Sequence, residues 1–412
     1  MLIERRKYLD KLIASEGNGL VKIITGGRRC GKSFLLFTIF HQYLIERGVS
    51  EDHIIELSLD DWSSRRYRDP DILLDYIVSH VQKDGLRHYI ILDEIQLVDE
   101  FVEVLLSLMH HSQLDIYVSG SNSRFLSKDV VTEFRGRGDE IHVYPLSFKE
   151  FMSVFPGDKQ TGWEQYVRYG GLPQILNYHT EQEKQEFLQS IWQSVYLSDV
   201  VGRYKLRNKQ LLDELLQVVA SQVGSSVNPT NLSNTFRSSA GKKVSALTIA
   251  KWLEYLEDSF LIERAQRYDI RGKRYIGTLP KYFFVDPGIR NSILKFRQID
   301  KGHLMENIVY TELRRRGGEV DVGQIEYRPR MQDGTSPRQQ LEVDFVVNEG
   351  SQRTYYQSAY TLYDEEQVAR EKRPMLQIHD SFRKVLLTSD IYIPWNDEDG
   401  VLHLGLFNFL ME

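Results

Sequence analysis

Cysteine is nearly absent from this chain: 412 residues hold one, Cys30. That excludes an intramolecular disulfide framework and a cysteine-based zinc site. Long hydrophobic runs are missing too. No stretch approaches the roughly 18 consecutive apolar residues that mark a membrane helix. The amino-terminal MLIERRKYLDKL carries charges throughout instead of an apolar core, so neither a membrane span nor a secretion signal is expected, and the cytoplasm is the expected location. Nor is hydrophobicity low enough for disorder. With 41% hydrophobic and 27% charged residues, the composition is that of a globular protein, and the length predicts two to four domains.

Charge is unevenly spread. The formal net charge is −6, yet residues 201–300 hold seventeen Lys and Arg against nine Asp and Glu. This surplus of eight leaves about −14 for the rest of the chain. A basic middle in an acidic protein suits a polyanionic partner, and equally a solvated basic face.

The most informative stretch is VKIITGGRRCGKS, residues 21–33. A short apolar, β-branched run (Val21, Ile23, Ile24, Thr25) predicts a buried strand. Gly26-Gly27-Arg28-Arg29-Cys30-Gly31-Lys32-Ser33 then fits G-x-x-x-x-G-K-[ST], and Phe34, Leu35, Leu36, Ile39 and Phe40 recur at helical spacing. Strand, glycine loop and helix in this order predict a phosphate-binding P-loop. Gly26 and Gly31 permit backbone angles that turn successive N–H groups inward around a phosphate, and the helix adds its positive end. Lys32 supplies a cation for the β- and γ-phosphates, and the Ser33 hydroxyl is a Mg²⁺ ligand. Cys30 occupies a variable position of the motif and reads as filler. The nucleotide-binding set is therefore Gly26, Gly27, Arg28, Arg29, Cys30, Gly31, Lys32, Ser33 and Phe34.

About sixty residues on, HYIILDEIQ (88–96) is a buried-strand pattern ending in two acids. Asp93 at the strand's carboxyl end is placed to hold the Mg²⁺ shell, and Glu94 to polarise an attacking water. A further strand, LDIYVSGSNS (114–123), ends in polar residues, of which Ser121 or Asn122 would reach the γ-phosphate or the water. Arg135 and Arg137 follow on a glycine-flanked loop, suited to stabilise charge in cis or across a subunit boundary of a homo-oligomer, and equally to be solvated.

GGRRCGKS, YIILDE, YVSGSNS, GRGDEIHVYPLSFKEF and YVRYGGLPQIL resemble the prokaryotic AAA-type ATPases of the archaeal-ATPase-like group, and the likeness runs over nearly the whole chain. The resemblance implies an ATP-hydrolysing core, ATP rather than GTP with Mg²⁺, and a carboxy-terminal domain of unknown function. The expected fold is α/β: a P-loop NTPase (AAA-type) parallel sheet, then an α+β winged helix and a restriction-endonuclease-like α/β domain. The expected boundaries are 1–160 for the ATPase, 161–208 for a helical connector, 209–298 for the winged helix and 299–412 for the nuclease-like domain.

The winged-helix reading rests on a capped helix from Asn228, an amphipathic helix over Ser245–Asp258 with Leu247, Ile249, Ala250, Leu253 and Leu256 toward a core, and strands with tight basic turns. Ser245, Thr248 and Lys251 would be exposed on the groove-facing helix, and Arg271, Lys273 and Arg274 would lie on the wing. Their partner is DNA or, as in many winged helices, a protein. Past Gly302, a helix with Glu306, a strand with Glu342 and Asp344, and a third element at Gln357 resemble the PD-(D/E)xK nuclease core. Where E-x-K is expected the chain reads Gln357-Ser358-Ala359. The amide is a poor Mg²⁺ partner and no lysine follows, so this site is expected to have lost cutting and kept binding. An ATP-gated nuclease and a nucleotide-switched protein scaffold remain the alternatives.

Overall fold

Fifteen strands and the helices between them are seen in the computed structural model, which describes residues 3–120, 134, 136–206, 208–240, 244–275, 277, 279–328, 337–391 and 393–412. The chain divides into two units: Met1–Pro145 with Asp258–Phe260, and Leu146–Glu257 with Leu261–Glu412.

In the first unit, strands β1 (Val21–Thr25), β2 (Ile54–Ser58), β3 (His88–Asp93), β4 (Leu114–Ser119) and β5 (Gly138–His142) are all parallel, in the order β2-β3-β4-β1-β5. Every residue of β1 and β3 is buried, as a parallel sheet covered on both faces requires. Alternation sends Ile90 and Leu92 into one core and Tyr89 and Ile91 into the other. Helices Pro70–His80 and Phe101–Leu108 cover the first face through Leu73, Ile77, Val102 and Leu105. Helix Arg6–Ala14 and the run after the glycine loop cover the second through Leu9, Leu12, Leu36 and Phe40. That run is α over Lys32–Phe34, widens to a π-helix over Leu35–Phe40, and closes as α over His41–Glu46.

The second unit holds β6 (Ile262–Ala265), β7 (Arg267–Asp269), β8 (Arg274–Tyr275), β9 (Lys281–Phe284), β10 (Glu319–Tyr327), β11 (Gln339–Glu349), β12 (Gln352–Ala359), β13 (Arg383–Thr388), β14 (Trp395–Asn396) and β15 (Val401–Gly405). β6 pairs with β9, while the rest form one sheet ordered β14-β15-β13-β12-β11-β10-β7-β8. Helix Lys301–Arg315 leads into the antiparallel meander β10-β11-β12, and helix Glu365–Leu376 carries the chain to β13, parallel to β12.

Two expectations change here. Helices Pro229–Ala240 and Ala246–Asp258 and the β7-β8 hairpin occur in the expected order, but β7 also pairs in parallel with β10. The hairpin is thus the end of the large sheet, and the boundary expected at 298/299 is bridged by backbone hydrogen bonds. Leu247, expected in a core, is 80% exposed, because the buried stripe of its helix runs through Ile249, Trp252, Leu253 and Leu256.

The RYGGLP stretch is a packing device. Gly170 (φ +76°) ends helix Lys159–Tyr169, and a Cβ there would lie 2.1 Å from Asp286 Oδ1. Gly171 N–H donates to Asp286 Oδ2 at 2.7 Å, and Ile289 N–H donates to Oδ1 at 3.0 Å, capping helix Pro287–Ile293. Burial pushes the Asp286 carboxyl up to about 6 against these donors.

Candidate active site

The glycine loop leaves the carboxyl end of β1, which lies between β4 and the edge strand β5 in the first sheet. Gly26 has φ +138°, and a Cβ on it would sit 2.2 Å from the Val143 carbonyl oxygen. No other residue type fits there. Gly31 (φ +99°) and Arg29 (φ +62°) complete the turn. Lys32 is 5% exposed, and its Nζ donates to the carbonyls of Gly26 and Gly27, both at 3.0 Å. The cation is thereby held at the mouth of the loop instead of trailing into solvent. Arg28, Arg29, Ser33 and Phe34 are exposed around it. Cys30 is not filler: it is fully buried among Leu35, Leu36 and Ile39, so its small apolar side chain anchors the loop to the core.

Asp93 ends β3, one strand beyond β4, and is 3% exposed. Burial pushes its carboxyl above the usual range, while hydrogen bonds from Ser119 and Ser33 and the charge of Lys32 oppose that shift. Ser33 on the loop helix and Asp93 on β3 therefore meet, with Ser119 at the end of β4 donating to Asp93 Oδ1. These are oxygen donors of the kind a hard divalent cation takes. Glu94 follows in a left-handed conformation (φ +54°), which turns its side chain out of the strand register; Gln96 Nε2 donates to its Oε2. Lys32, Ser33, Asp93 and Glu94 thus converge at one end of the sheet. Ser121, Asn122 and Arg135 lie outside the described residues.

Arg137 does not join them. Val21 N–H donates to its carbonyl at 3.0 Å, and Gly138 is in register with Val21. Arg137 therefore sits at the amino end of β1, the length of a five-residue strand, roughly 16 Å at 3.3 Å per residue, from the loop. A cis role at this loop is excluded by that distance.

Part of the basic middle is tied down by the protein itself. Lys281 and Arg290 are buried, and Arg267 Nη2 pairs with Glu342 at 2.7 Å. Arg271 donates to the carbonyls of Glu326 (3.0 Å) and Gln377 (3.2 Å), which ties it to the sheet instead of a wing. Thr248 is half-buried, with its hydroxyl 2.8 Å from Ser245 Oγ and its N–H donating to the same oxygen at the start of the helix. Of the five candidates for DNA contact, Lys251, Lys273 and Arg274 are exposed, Arg274 with its Nε 3.8 Å from Asp269 Oδ2.

In the second unit, Glu342 and Asp344 share a face of β11, being two apart. Lys281 Nζ lies 2.9 Å from Glu306 Oε1 and 2.7 Å from Glu342 Oε1. Burial, with Asp344 and Glu342 pressing the same way, pushes Glu306 up to about 8 despite Lys281. Burial alone would lower Lys281, but the carboxylates of Glu306, Asp344 and Glu342 outweigh it and raise the ammonium above its usual range. Asp344 accepts from Ser358 N–H (2.8 Å), Ser358 Oγ (2.9 Å) and Gln357 Nε2 (3.3 Å). Glu306, Glu342 and Asp344 thus surround a lysine the sequence reading left out, and Gln357 bonds to Asp344.

Residues 18–152 match the AAA domain family, and residues 160–300 match a domain of unknown function (DUF8612). An uncharacterized protein of Haemophilus influenzae is 32% identical over 416 residues, covering all of this chain and 99% of its own. The chain belongs to one family with that protein, and its amino-terminal unit is an AAA domain. An uncharacterized protein of Methanocaldococcus jannaschii is 27% identical over 358 residues, 83% of this chain and 75% of that one. Among solved structures, the Aeropyrum pernix ORC1 protein in complex with DNA aligns over 71% of this chain and 92% of its own, with 12% identity and a TM-score of 0.32. At that level the likeness decides nothing about this AAA-domain protein. Among its described residues, no helix is long and apolar enough to cross a membrane.

Three groups in this AAA-domain protein escaped the sequence reading. Ser119 supports Asp93; Lys22 and Asp115 pair inside the sheet; and Lys281 sits among the carboxylates. Lone charges inside otherwise apolar strands, VKIIT, LDIYVS and KYFF, were the available signal.

Proposed function

We propose that this AAA-domain protein binds Mg·ATP and hydrolyses it, and that nucleotide state governs what its carboxy-terminal half contacts. The observation that carries the reading is the convergence of Lys32, Ser33, Asp93 and Glu94 on one loop at the carboxyl end of the sheet. Lys32 neutralises the β- and γ-phosphates, and the loop N–H groups around Gly31 cradle them. Ser33 and Asp93 would hold a Mg²⁺, which would supply positive charge against the phosphates; Ser119 keeps the Asp93 carboxylate aimed. Glu94 orients water and receives its proton. Contacts to the γ-phosphate order the loop and are released on hydrolysis, which is the switch.

For the carboxy-terminal half, DNA contact rests on Lys251, Lys273 and Arg274. The meander β10-β11-β12 flanked by helices supports a nuclease-like fold that no longer cuts, because Gln357 and Ala359 stand where an acid and a lysine would act. One observation favours a protein partner instead: Leu247 is 80% exposed on the same helix as Lys251. The deciding experiment is steady-state ATP hydrolysis by wild type and Glu94→Gln, with and without duplex and single-stranded DNA. Turnover lost in Glu94→Gln supports the ATPase, and acceleration by DNA supports DNA coupling. Turnover indifferent to DNA, with no DNA bound, transfers the second half to a protein partner. A wild type no faster than Glu94→Gln overturns the hydrolytic reading.

A further inference from the structure

A nuclease-like fold implies a divalent cation on the carboxylates of its meander, and the residues present do not fit one. A Mg²⁺ or Mn²⁺ ion needs oxygen lone pairs turned toward a common point and about six ligands in all. Here those lone pairs already receive protein donors. Glu306 Oε1 and Glu342 Oε1 both take Lys281 Nζ, and Glu342 Oε2 takes Arg267 Nη2 at 2.7 Å. Asp344 Oδ2 takes the Ser358 N–H and hydroxyl, and Oδ1 takes Gln357 Nε2.

Lys281 is built into this position. It is 5% exposed, and its backbone is fixed on both sides, opposite Ala265 in the β6-β9 pair and bridged to Ser226. The side chain rises from the first residue of β9 against helix Lys301–Arg315, whereas Glu342 and Asp344 come from β11. An ammonium has three N–H groups arranged about a point charge, which suits bridging two carboxylates near a third. Lys281 and Arg267 together carry the two positive charges that a divalent ion would supply.

We propose that the Lys281 ammonium is a tethered substitute for the divalent cation, making this carboxylate cluster a metal-free site. The inference rests on the nuclease-like reading of the meander and is independent of ATP hydrolysis at the glycine loop. The lysine does more than block the site: it supplies the attraction that holds β9, the helix and β11 together, as a bound ion would. Phosphodiester contact in this half would therefore use exposed cations, without a metal-activated water.

The test is Mn²⁺ binding to the nucleotide-free full-length chain, followed by the electron paramagnetic resonance signal of free Mn²⁺. Wild type, Asp344→Asn, Lys281→Met and the double variant Lys281→Met/Asp344→Asn are compared, so that any Mn²⁺ held by the amino-terminal unit is common to all four. Wild type and Asp344→Asn are expected to bind equally. Lys281→Met is expected to gain one Mn²⁺ per chain, to lose it again in the double variant, and to melt below wild type until Mn²⁺ restores its Tm. Mn²⁺ bound by wild type and removed by Asp344→Asn would overturn the proposal, as would a folded Lys281→Met that gains no ion. If Lys281→Met fails to fold, the comparison of wild type with Asp344→Asn still decides. Because no arm reads ATP turnover, failure here and failure of the ATPase reading are separate results.

Discussion

Lys22 of β1 and Asp115 of β4 form an ion pair inside the sheet of the AAA domain, with the lysine fully buried and the aspartate 3% exposed. Asp115 also accepts from Gly17 N–H at 2.9 Å and Tyr117 OH at 3.1 Å, so neither charge is left without partners. Such a pair does little for net stability against an apolar pair of equal volume, but breaking it strands a charge. Lys22→Met or Asp115→Leu alone is expected to cost about 3–5 kcal/mol, and the double variant to recover most of that loss. Urea unfolding of the four proteins measures both quantities. Single variants as stable as wild type would show that the pair is hydrated.

Gly26 is the loop position where geometry is least forgiving. Gly26→Ala places a methyl 2.2 Å from the Val143 carbonyl oxygen at a φ of +138°. The strained backbone costs on the order of 1–3 kcal/mol, or the loop moves away from its phosphate-binding shape. Nucleotide affinity should fall at least tenfold in an equilibrium titration with a fluorescent ATP analogue, while circular dichroism remains that of the folded chain.

Ser119 offers a pH test of the metal-holding acid. Burial raises Asp93, and the Ser119 hydrogen bond opposes the rise. Removing the donor in Ser119→Ala therefore raises Asp93 further. The acid limb of the kcat profile is expected to move to higher pH, and the Mg²⁺ concentration needed for half-maximal rate to increase. An unshifted profile with unchanged Mg²⁺ dependence would mean that Ser119 only packs.

How much of this could be read in the chain differs between its halves. The glycine loop and the acids after β3 were legible because their spelling follows from local geometry: a strand, a turn with positive φ, and a helix start. The charge pairs were not, since Lys22 and Asp115 lie 93 residues apart and only sheet order makes them neighbours. The in-cis role, one of those left open for Arg137, fails for the same reason. Its loop is glycine-flanked like a catalytic loop, yet parallel pairing of β5 with β1 sets it at the far end of the sheet. In the second half, the helices from Asn228, over 245–258 and over 303–317 were readable from caps and periodicity, whereas helices Pro287–Ile293 and Glu365–Leu376 were not anticipated. The pairing of β7 with β10, which merges two expected domains, depends on a contact between segments about fifty residues apart that no local pattern encodes.

Asp397 gives the second unit a defined acid response. Burial works to raise its carboxyl, but hydrogen bonds from Lys372 (2.5 Å), His403 Nε2 (2.9 Å) and Val401 N–H (2.9 Å) bring it down to about 2. A carboxyl that is more acidic folded than unfolded stabilises the fold above its unfolded pKa, near 4, and loses that contribution as pH falls toward 2. The contribution is about 2 kcal/mol. Asp397→Asn should lower stability at pH 7 and flatten the fall between pH 4 and 2, followed by acid titration of tryptophan fluorescence.

The eight-stranded sheet stops at both ends on strands of two residues, Arg274–Tyr275 and Trp395–Asn396. A two-residue strand offers too few free backbone groups to template another chain. Among the described residues, the outermost strand at each end thus offers little hydrogen-bond ladder for another chain to extend.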